Sequence, residues 1–163
     1  MAAQVFTFGK NLIGRDQTFL VTRLCYAFTN KKPVLPGHVL VAPQRHVERF
    51  ADLTAEEVTD MFGCVHRVAP VLESVFTSTS LSIVIQDGVD AGQTVPHVHV
   101  HLLPRRHGDF QRNDDIYDAL ERHDTPASTG HVTYDGDHVT GEGRSRRFEE
   151  MVQEAKMLST HFH

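Results

Sequence analysis

Three histidines occupy alternate positions in the run V-P-H-V-H-V-H-L-L, residues 95–103. Alternate side chains of a strand point to one face, so His97, His99 and His101 lie side by side if this run is a strand. Such a row has three alternative interpretations: a metal site, a set of imidazoles for nucleophilic and acid–base chemistry, or an ordinary polar strand face. Two imidazoles can converge on one zinc ion, but a third on a flat strand converges poorly, and His38 is the obvious additional ligand.

The segment that leads into the histidine row favours the chemical interpretation. It contains Q-D-G at 86–88 and G-Q-T at 92–94, and glycines allow backbone N–H groups to approach an anion closely. An imidazole with an ordinary pKa of about 6.5 is roughly three-quarters neutral at pH 7 and can attack phosphorus, while a protonated neighbour can donate. The pattern therefore predicts a phosphate site beside a histidine nucleophile, with a phosphoramidate intermediate.

Short runs rich in β-branched and aromatic residues predict the strands that must position this row. The predicted strands are residues 18–22, 24–30, 38–42, 81–86 and 95–103. Between the second and third strands, the prolines and glycine of K-K-P-V-L-P-G indicate a tight connection. Because the strands follow one another through short links and outnumber the helices, the sequence predicts an antiparallel α+β domain.

Two helices are predicted. The first begins after Thr54, which forms a capping-box pattern with Glu57, and its apolar residues recur at helical spacing up to residue 76, with a kink expected at Pro70. The second spans about 145–160, and its apolar side is formed by Phe148, Met151, Val152, Ala155 and Leu158. The glycine-rich stretch 124–144 between them predicts a mobile loop.

Composition limits the partners and the compartment. A chain of 163 residues fits one domain, so we take 1–163 as a single domain. Its formal net charge of -5 argues against nucleic acid as a partner. Cys25 and Cys64 form no C-x-x-C pair, which suits a reducing compartment. No secretory pattern begins the sequence and no run reaches the ~18 apolar residues of a membrane span, so we expect a cytoplasmic protein, with access to the nucleus open and no membrane partner.

The histidine row resembles the motif of the histidine triad family, His-x-His-x-His followed by apolar residues. Four further stretches resemble the fragile histidine triad branch, the dinucleoside polyphosphate hydrolases: 30–41, 47–53, 86–95 and 103–117. The similarity is continuous over about residues 5–123 and extends to the last helix. It implies a HIT-like fold, an antiparallel five-stranded sheet with two main helices, and a homodimer whose two sheets join into one.

The resemblance also implies a role for each histidine. His99, the middle member of the triad, would attack the α-phosphate of diadenosine triphosphate and form an adenylyl-histidine, with a nucleoside diphosphate released; water would then yield AMP. His101 would bind the phosphate and assist the leaving group, His97 would support the site, and His38 would orient the nucleophile. No tightly bound cofactor or metal is implied, although Mg²⁺ can accompany the polyphosphate.

Substrate contacts carried over from the family fall on two groups of residues. The first group, which is mostly polar and includes residues of the glycine-bearing loop, is Asn11, Asn30, Gln86, Gly92, Gln93, Thr94 and Val95. The second group, the base pocket, is Phe8, Ile13, Phe28 and Leu40. Two residues depart from the family: Asn11 stands where relatives have a histidine, and Phe28 is bulkier than the expected aliphatic residue. The alternatives are a nucleoside phosphoramidate hydrolase of the same superfamily, or a signalling protein that senses bound dinucleotide.

Overall fold

The computed structural model describes residues 4–123, 132–135, 138–142 and 145–162. Its strands are β1 (Val5–Phe8), β2 (Asn11–Gly14), β3 (Thr18–Val21), β4 (Cys25–Thr29), β5 (Val39–Pro43), β6 (Ser80–Val84), β7 (Val100–Arg105), β8 (Val132–Asp135) and β9 (His138–Glu142). Its α-helices are α1 (Ala55–Val75), α2 (Asp115–His123) and α3 (Phe148–Ser159), and short 3₁₀ turns lie at Arg15–Gln17, Phe50–Asp52 and Val89–Ala91.

A five-stranded sheet in the order β3-β4-β5-β7-β6 forms the centre of the fold, and every neighbouring pair in it is antiparallel. Strands β1 and β2 form a separate hairpin, and β8 and β9 form another. The register between β5 and β7 places Leu40 opposite His101. The predicted antiparallel α+β class and five-stranded sheet are therefore confirmed, and α2 is an additional helix that the sequence pattern did not predict.

The two faces of the sheet pack against different elements, because successive strand residues point to opposite sides. On one face, Cys25 and Ala27 of β4 join apolar residues of α1 and α3 in the main core. On the other face, Tyr26 and Phe28 pack against the β1–β2 hairpin. Both cysteines, Cys25 and Cys64, are buried and not joined in a disulfide. Strands β4, β5 and β7 are buried on both faces, which fixes the position of side chains that leave the sheet on the hairpin side.

Helix α1 begins with the predicted capping box. The Thr54 hydroxyl accepts a hydrogen bond from the Glu57 N–H, and the Glu57 carboxylate accepts one from the Thr54 N–H. The same carboxylate is bound on both oxygens by Arg45, at 2.7 and 2.8 Å. The helix continues through Pro70 to Val75.

The strand predicted at residues 95–103 is wrong in its limits, because β7 begins only at Val100. Pro96 lacks the N–H that a sheet ladder needs. The His97 N–H then turns back to the Val95 carbonyl at 2.8 Å, and the next N–H donates to Val47. His97 and His99 therefore lie in an irregular extended segment, and the idea of an exposed polar strand face is also wrong, since all three histidines of the row are buried.

The C-terminal part differs from its prediction in two details. Helix α3 begins at Phe148, which is exposed, whereas Met151, Ala155 and Leu158 of its apolar side are buried. Within the stretch predicted as a mobile loop, the structure describes the β8–β9 hairpin; the rest of 124–144 lies outside the described residues, and its mobility stays a prediction. Among the helices of the described ranges, none is long and apolar enough to cross a membrane.

Candidate active site

The middle histidine of the row is held by the backbone of the first. The Nδ1 atom of His99 lies 2.7 Å from the carbonyl oxygen of His97. A carbonyl oxygen can only accept, so Nδ1 carries the hydrogen and donates it. The lone pair of the neutral His99 ring therefore resides on Nε2, which is the arrangement that nucleophilic attack requires.

A second chain of hydrogen bonds runs from the backbone through two buried rings. The N–H of Val34 donates to Nδ1 of His38 at 3.0 Å, so the hydrogen of the His38 ring is on Nε2. This Nε2–H donates to Nδ1 of His101 at 2.9 Å. The hydrogen of the neutral His101 ring is consequently on Nε2. The rings of His99 and His101 meet edge to face with centroids 4.7 Å apart, so a ring with its lone pair on Nε2 and a ring with its hydrogen on Nε2 are neighbours.

The ring of His97 fastens the hairpin and the sheet to each other. Its Nε2–H donates to the Pro43 carbonyl at 2.9 Å, and its Nδ1 accepts from the Gly9 N–H at 3.4 Å. Burial lowers the pKa of His97, and the nearby His46 and His99 lower it further, against the hydrogen bond to Pro43. A neutral ring is what the Gly9 contact requires. His97 is thus placed to support the site rather than to react.

The four residues predicted for the base pocket lie together. Phe8, Ile13, Phe28 and Leu40 belong to one buried cluster between the hairpin and the sheet. Phe8 meets Phe28 edge to face at 5.1 Å and the ring of His99 edge to face at 5.0 Å. An apolar wall therefore adjoins the ring of His99, as the predicted base pocket requires.

The predicted polar contacts are divided between the interior and the rim. Asn30 is buried, its Oδ1 accepts from the Lys32 N–H at 3.0 Å, and its Nδ2 lies 3.4 Å from Nε2 of His38. Asn11 is exposed at the hairpin end and pairs with Phe8 in register. Asn30 thus contacts the histidine cluster directly, whereas Asn11 stands at the surface.

The glycine-bearing loop is held by its own side chains. The side-chain Oε1 of Gln93 accepts a hydrogen bond from the Gly88 N–H at 2.7 Å, and the side-chain Nε2 donates to the Glu48 and Val95 carbonyls. Gly92 has a φ of +88°, and a Cβ there would lie 2.5 Å from Nε2 of Gln86. The Gln93 side chain therefore shapes the loop, and Gly92 lets Gln86 approach closely.

The last two residues of this loop differ in exposure. Thr94 is exposed, and Val95 packs against the aromatic cluster of the base pocket. An ion pair fixes the other end of the loop: Arg49 donates to both oxygens of Asp87, which also accepts from the Phe50 N–H at 2.8 Å. The loop is consequently anchored at both ends before any ligand binds.

Sequence reasoning missed the groups that fix the ring tautomers. They are the Pro43 and His97 carbonyls and the Val34 and Gly9 N–H groups. Nothing in the sequence indicated that the ring of His46 lies edge to face against His97, at 5.2 Å. Only the proline-rich connection 33–37 carried a signal, as a rigid loop next to His38. In the described part of the chain, no group of three or more His, Cys, Asp or Glu is arranged to hold a metal ion, so the zinc interpretation gains no support there.

The fold and the buried histidines together define a class of small α+β domain in which a cluster of imidazoles lies beside a buried apolar cluster. A family model described as the HIT domain matches residues 14–108, and the chain belongs to the histidine triad (HIT) family.

Among its relatives are enzymes with dinucleotide substrates in their names. The bis(5'-nucleosyl)-tetraphosphatase (asymmetrical) of Schizosaccharomyces pombe is 45% identical, covering 95% of this chain and 93% of the relative. The bifunctional bis(5'-adenosyl)-triphosphatase/adenylylsulfatase FHIT of Arabidopsis thaliana is 43% identical, with 96% and 84% covered. The crystal structure of Plasmodium falciparum diadenosine triphosphate hydrolase is 28% identical with a TM-score of 0.72, covering 99% of this chain and 86% of that one.

Proposed function

We propose that the protein hydrolyses dinucleoside polyphosphates, with diadenosine triphosphate cleaved to AMP and ADP through an adenylyl-histidine on His99. The observation that carries the proposal is the hydrogen bond from Nδ1 of His99 to the His97 carbonyl, because it puts the lone pair on Nε2. The names of the relatives support the substrate class.

The first half-reaction transfers an adenylyl group to the protein. Nε2 of His99 attacks the α-phosphorus, an N–P bond forms, and the bond from that phosphorus to the bridging oxygen breaks. The bridging oxygen leaves as a terminal oxygen of the nucleoside diphosphate, and the Nε2–H of His101 stabilises it with a hydrogen bond. The His99 ring gains positive charge, which the His97 carbonyl oxygen stabilises at 2.7 Å.

The second half-reaction returns the enzyme. Water attacks the same phosphorus, the N–P bond breaks, and its electron pair returns to Nε2 of His99. The water oxygen and one of its protons stay with AMP, and the other proton passes to solvent. Mg²⁺ bound to the polyphosphate belongs to the substrate and neutralises its charge.

The test is product identity in isotopic water. The protein is incubated with diadenosine triphosphate, diadenosine tetraphosphate and adenylyl sulfate in H₂¹⁸O, since the relatives' names differ in these substrates. We expect AMP to carry the ¹⁸O and the nucleoside diphosphate or triphosphate to carry none. His99→Asn should bind substrate without turnover, and the exposed His107→Asn is the matched control. Wild-type turnover by His99→Asn, or ¹⁸O in the other product, would contradict the mechanism.

We also propose a homodimer formed through the edge strand β6. Strand β6 lies at the end of the sheet next to β7, and an edge strand presents backbone groups that a second copy can pair with. Ile83 on this strand is half exposed. Light scattering should give twice the chain mass, and Ile83→Asp should yield monomers; a monomeric wild type would refute the proposal.

A cytoplasmic location is likewise proposed, and imaging of a tagged chain tests it.

A further inference from the structure

A buried ion pair lies at the end of β7, four residues beyond His101. The guanidinium of Arg105 donates from Nε and Nη2 to the two carboxylate oxygens of Asp109, at 2.7 and 3.0 Å. Its Nη1 donates to the Ser82 hydroxyl at 3.2 Å, and Nη2 also donates to Asn113, at 3.3 Å to the carbonyl and 3.2 Å to Oδ1. All three guanidinium nitrogens are therefore engaged, which fixes the direction of the group.

This ion pair organises the turn that leads into α2. The Asp109 carboxylate also accepts from the N–H groups of Arg106 and Phe110, at 3.2 and 2.9 Å. Burial opposes its ionisation, yet the hydrogen bonds from Arg105 and the backbone hold the pKa of Asp109 below its usual range. The carboxylate thus ties the strand end to the turn, and α2 begins at Asp115.

Helix α2 in turn presses on the connection before His38. Its buried residues Ile116 and Leu120 form one cluster with Leu103 of β7 and with Val34 and Leu35 of that connection. The N–H of Val34 is the group that determines the tautomer of His38. Val34, which carries this donor, is therefore packed against α2.

The other side of the same connection rests on the end of α1. Gly37 has a φ of +77°, and a Cβ there would lie 2.5 Å from the Phe76 ring. The turn after β7 reaches this contact as well, because Arg106 donates to the Phe76 carbonyl at 2.5 Å. The connection is thus held between α2 and Phe76, and the turn organised by Asp109 touches both supports.

We propose that Arg105 and Asp109 are positioning residues that hold α2 against Val34 and thereby keep the ring hydrogens of His38 and His101 on Nε2. The inference deepens the proposed function, because a hydrogen on Nε2 of His101 is what stabilises the leaving oxygen. The ring tautomer can be measured without turnover, so the two ideas are separable.

The experiment compares the wild type with Asp109→Asn, which keeps the side-chain size, and Arg105→Lys, which keeps the positive charge; both lose the paired fork, the two parallel hydrogen bonds between guanidinium and carboxylate. Arg112→Lys is the control, because Arg112 is exposed and pairs with Asp115 at the start of the same helix. Nitrogen-15 NMR of the imidazoles reports the tautomers, steady-state kinetics on diadenosine triphosphate gives kcat and KM, and thermal unfolding identifies a working temperature at which each variant is folded.

We expect the wild type and Arg112→Lys to show His38 and His101 with the hydrogen on Nε2. In Asp109→Asn and Arg105→Lys these rings should show mixed tautomers, and kcat should fall roughly tenfold while KM changes less than about twofold, as loss of one buried hydrogen bond predicts. The kcat of Asp109→Glu, which keeps the carboxylate, should lie between that of Asp109→Asn and that of the wild type. If Asp109→Asn cannot be kept folded, Arg105→Lys alone decides.

Three results overturn the inference: unchanged tautomers in a folded fork variant, changed tautomers with wild-type kcat, or a wild type whose His38 hydrogen is on Nδ1. If the variants shift the tautomers as expected but the wild type hydrolyses no dinucleotide, the positioning role stands and the proposed function fails.

Discussion

The hydrogen bond from His38 to His101 can be tested by two substitutions that each keep one end of the imidazole. In His38→Asn the amide occupies the place of Nδ1 and can still accept from Val34, but the donor to His101 is lost. In His38→Gln the amide reaches the place of Nε2 and can still donate to His101, whereas the Val34 N–H loses its acceptor. His38 is fully buried, so both changes cost packing, and the comparison between them isolates the donor.

The size of the difference follows from the burial of the pair. A buried polar group that loses its partner costs about 1–3 kcal/mol, and the same amount in the transition state lowers kcat roughly 5- to 150-fold. We expect kcat of His38→Asn to fall within this range and kcat of His38→Gln to stay within about fivefold of the wild type. The measurement is steady-state hydrolysis of diadenosine triphosphate at a temperature where both variants are folded. A larger loss in His38→Gln, or equal losses in both, would refute the tautomer argument.

Three further outcomes are expected. Gly9→Ala should lower the melting temperature and kcat, because Gly9 has a φ of +57° and a Cβ would lie 2.7 Å from Cγ1 of Val95; thermal unfolding should show a loss of about 1–2 kcal/mol, and an unchanged melting temperature would contradict it. The hydrogen bonds from Arg45 lower the pKa of Glu57 from 4.5 to about 2. The ion pair therefore adds to the free energy of unfolding above pH 4.5, and this addition is lost as the pH falls toward 2. Because Arg45 is half exposed, we expect this addition to be about 1–2 kcal/mol. Urea unfolding of Glu57→Gln should lack this part of the pH dependence. Phe28→Leu should lower the melting temperature by opening space in the buried cluster and lower KM for adenine dinucleotides, and a raised KM would show that the ring itself binds the base.

Much of the scaffold could be predicted because its signals are local. The capping box at Thr54 involves residues three apart, and the strands alternate over a few residues. Helix α2 was missed because it has only nine residues and lies in a segment rich in polar and charged residues. The strand limit at Val100 was missed because the alternation of valine and histidine begins at residue 97, before the backbone pairs with the sheet.

The grouping of the histidines could be predicted, but their protonation could not. The spacing of the row and the motif resemblance point to His97, His99 and His101, and proximity to His38 follows from the register of β5 with β7. The partners that determine the tautomers are mostly backbone groups, some of them distant: the Pro43 carbonyl is 54 residues from His97 and the Gly9 N–H is 88 residues away, whereas the His97 carbonyl is two residues from His99. No side-chain pattern records such contacts, because any residue type can supply a backbone group.

The two buried cysteines allow the separation of helix α1 from the sheet to be measured by chemical labelling. Cys25 is in β4 and Cys64 is in α1, and burial raises the pKa of both thiols, that of Cys64 to about 12. Only the thiolate reacts with alkylating reagents, so labelling must wait until the helix and the sheet separate. The labelling rate therefore measures the free energy of that separation, and a fluorophore can be attached to an introduced surface cysteine without first removing the native pair.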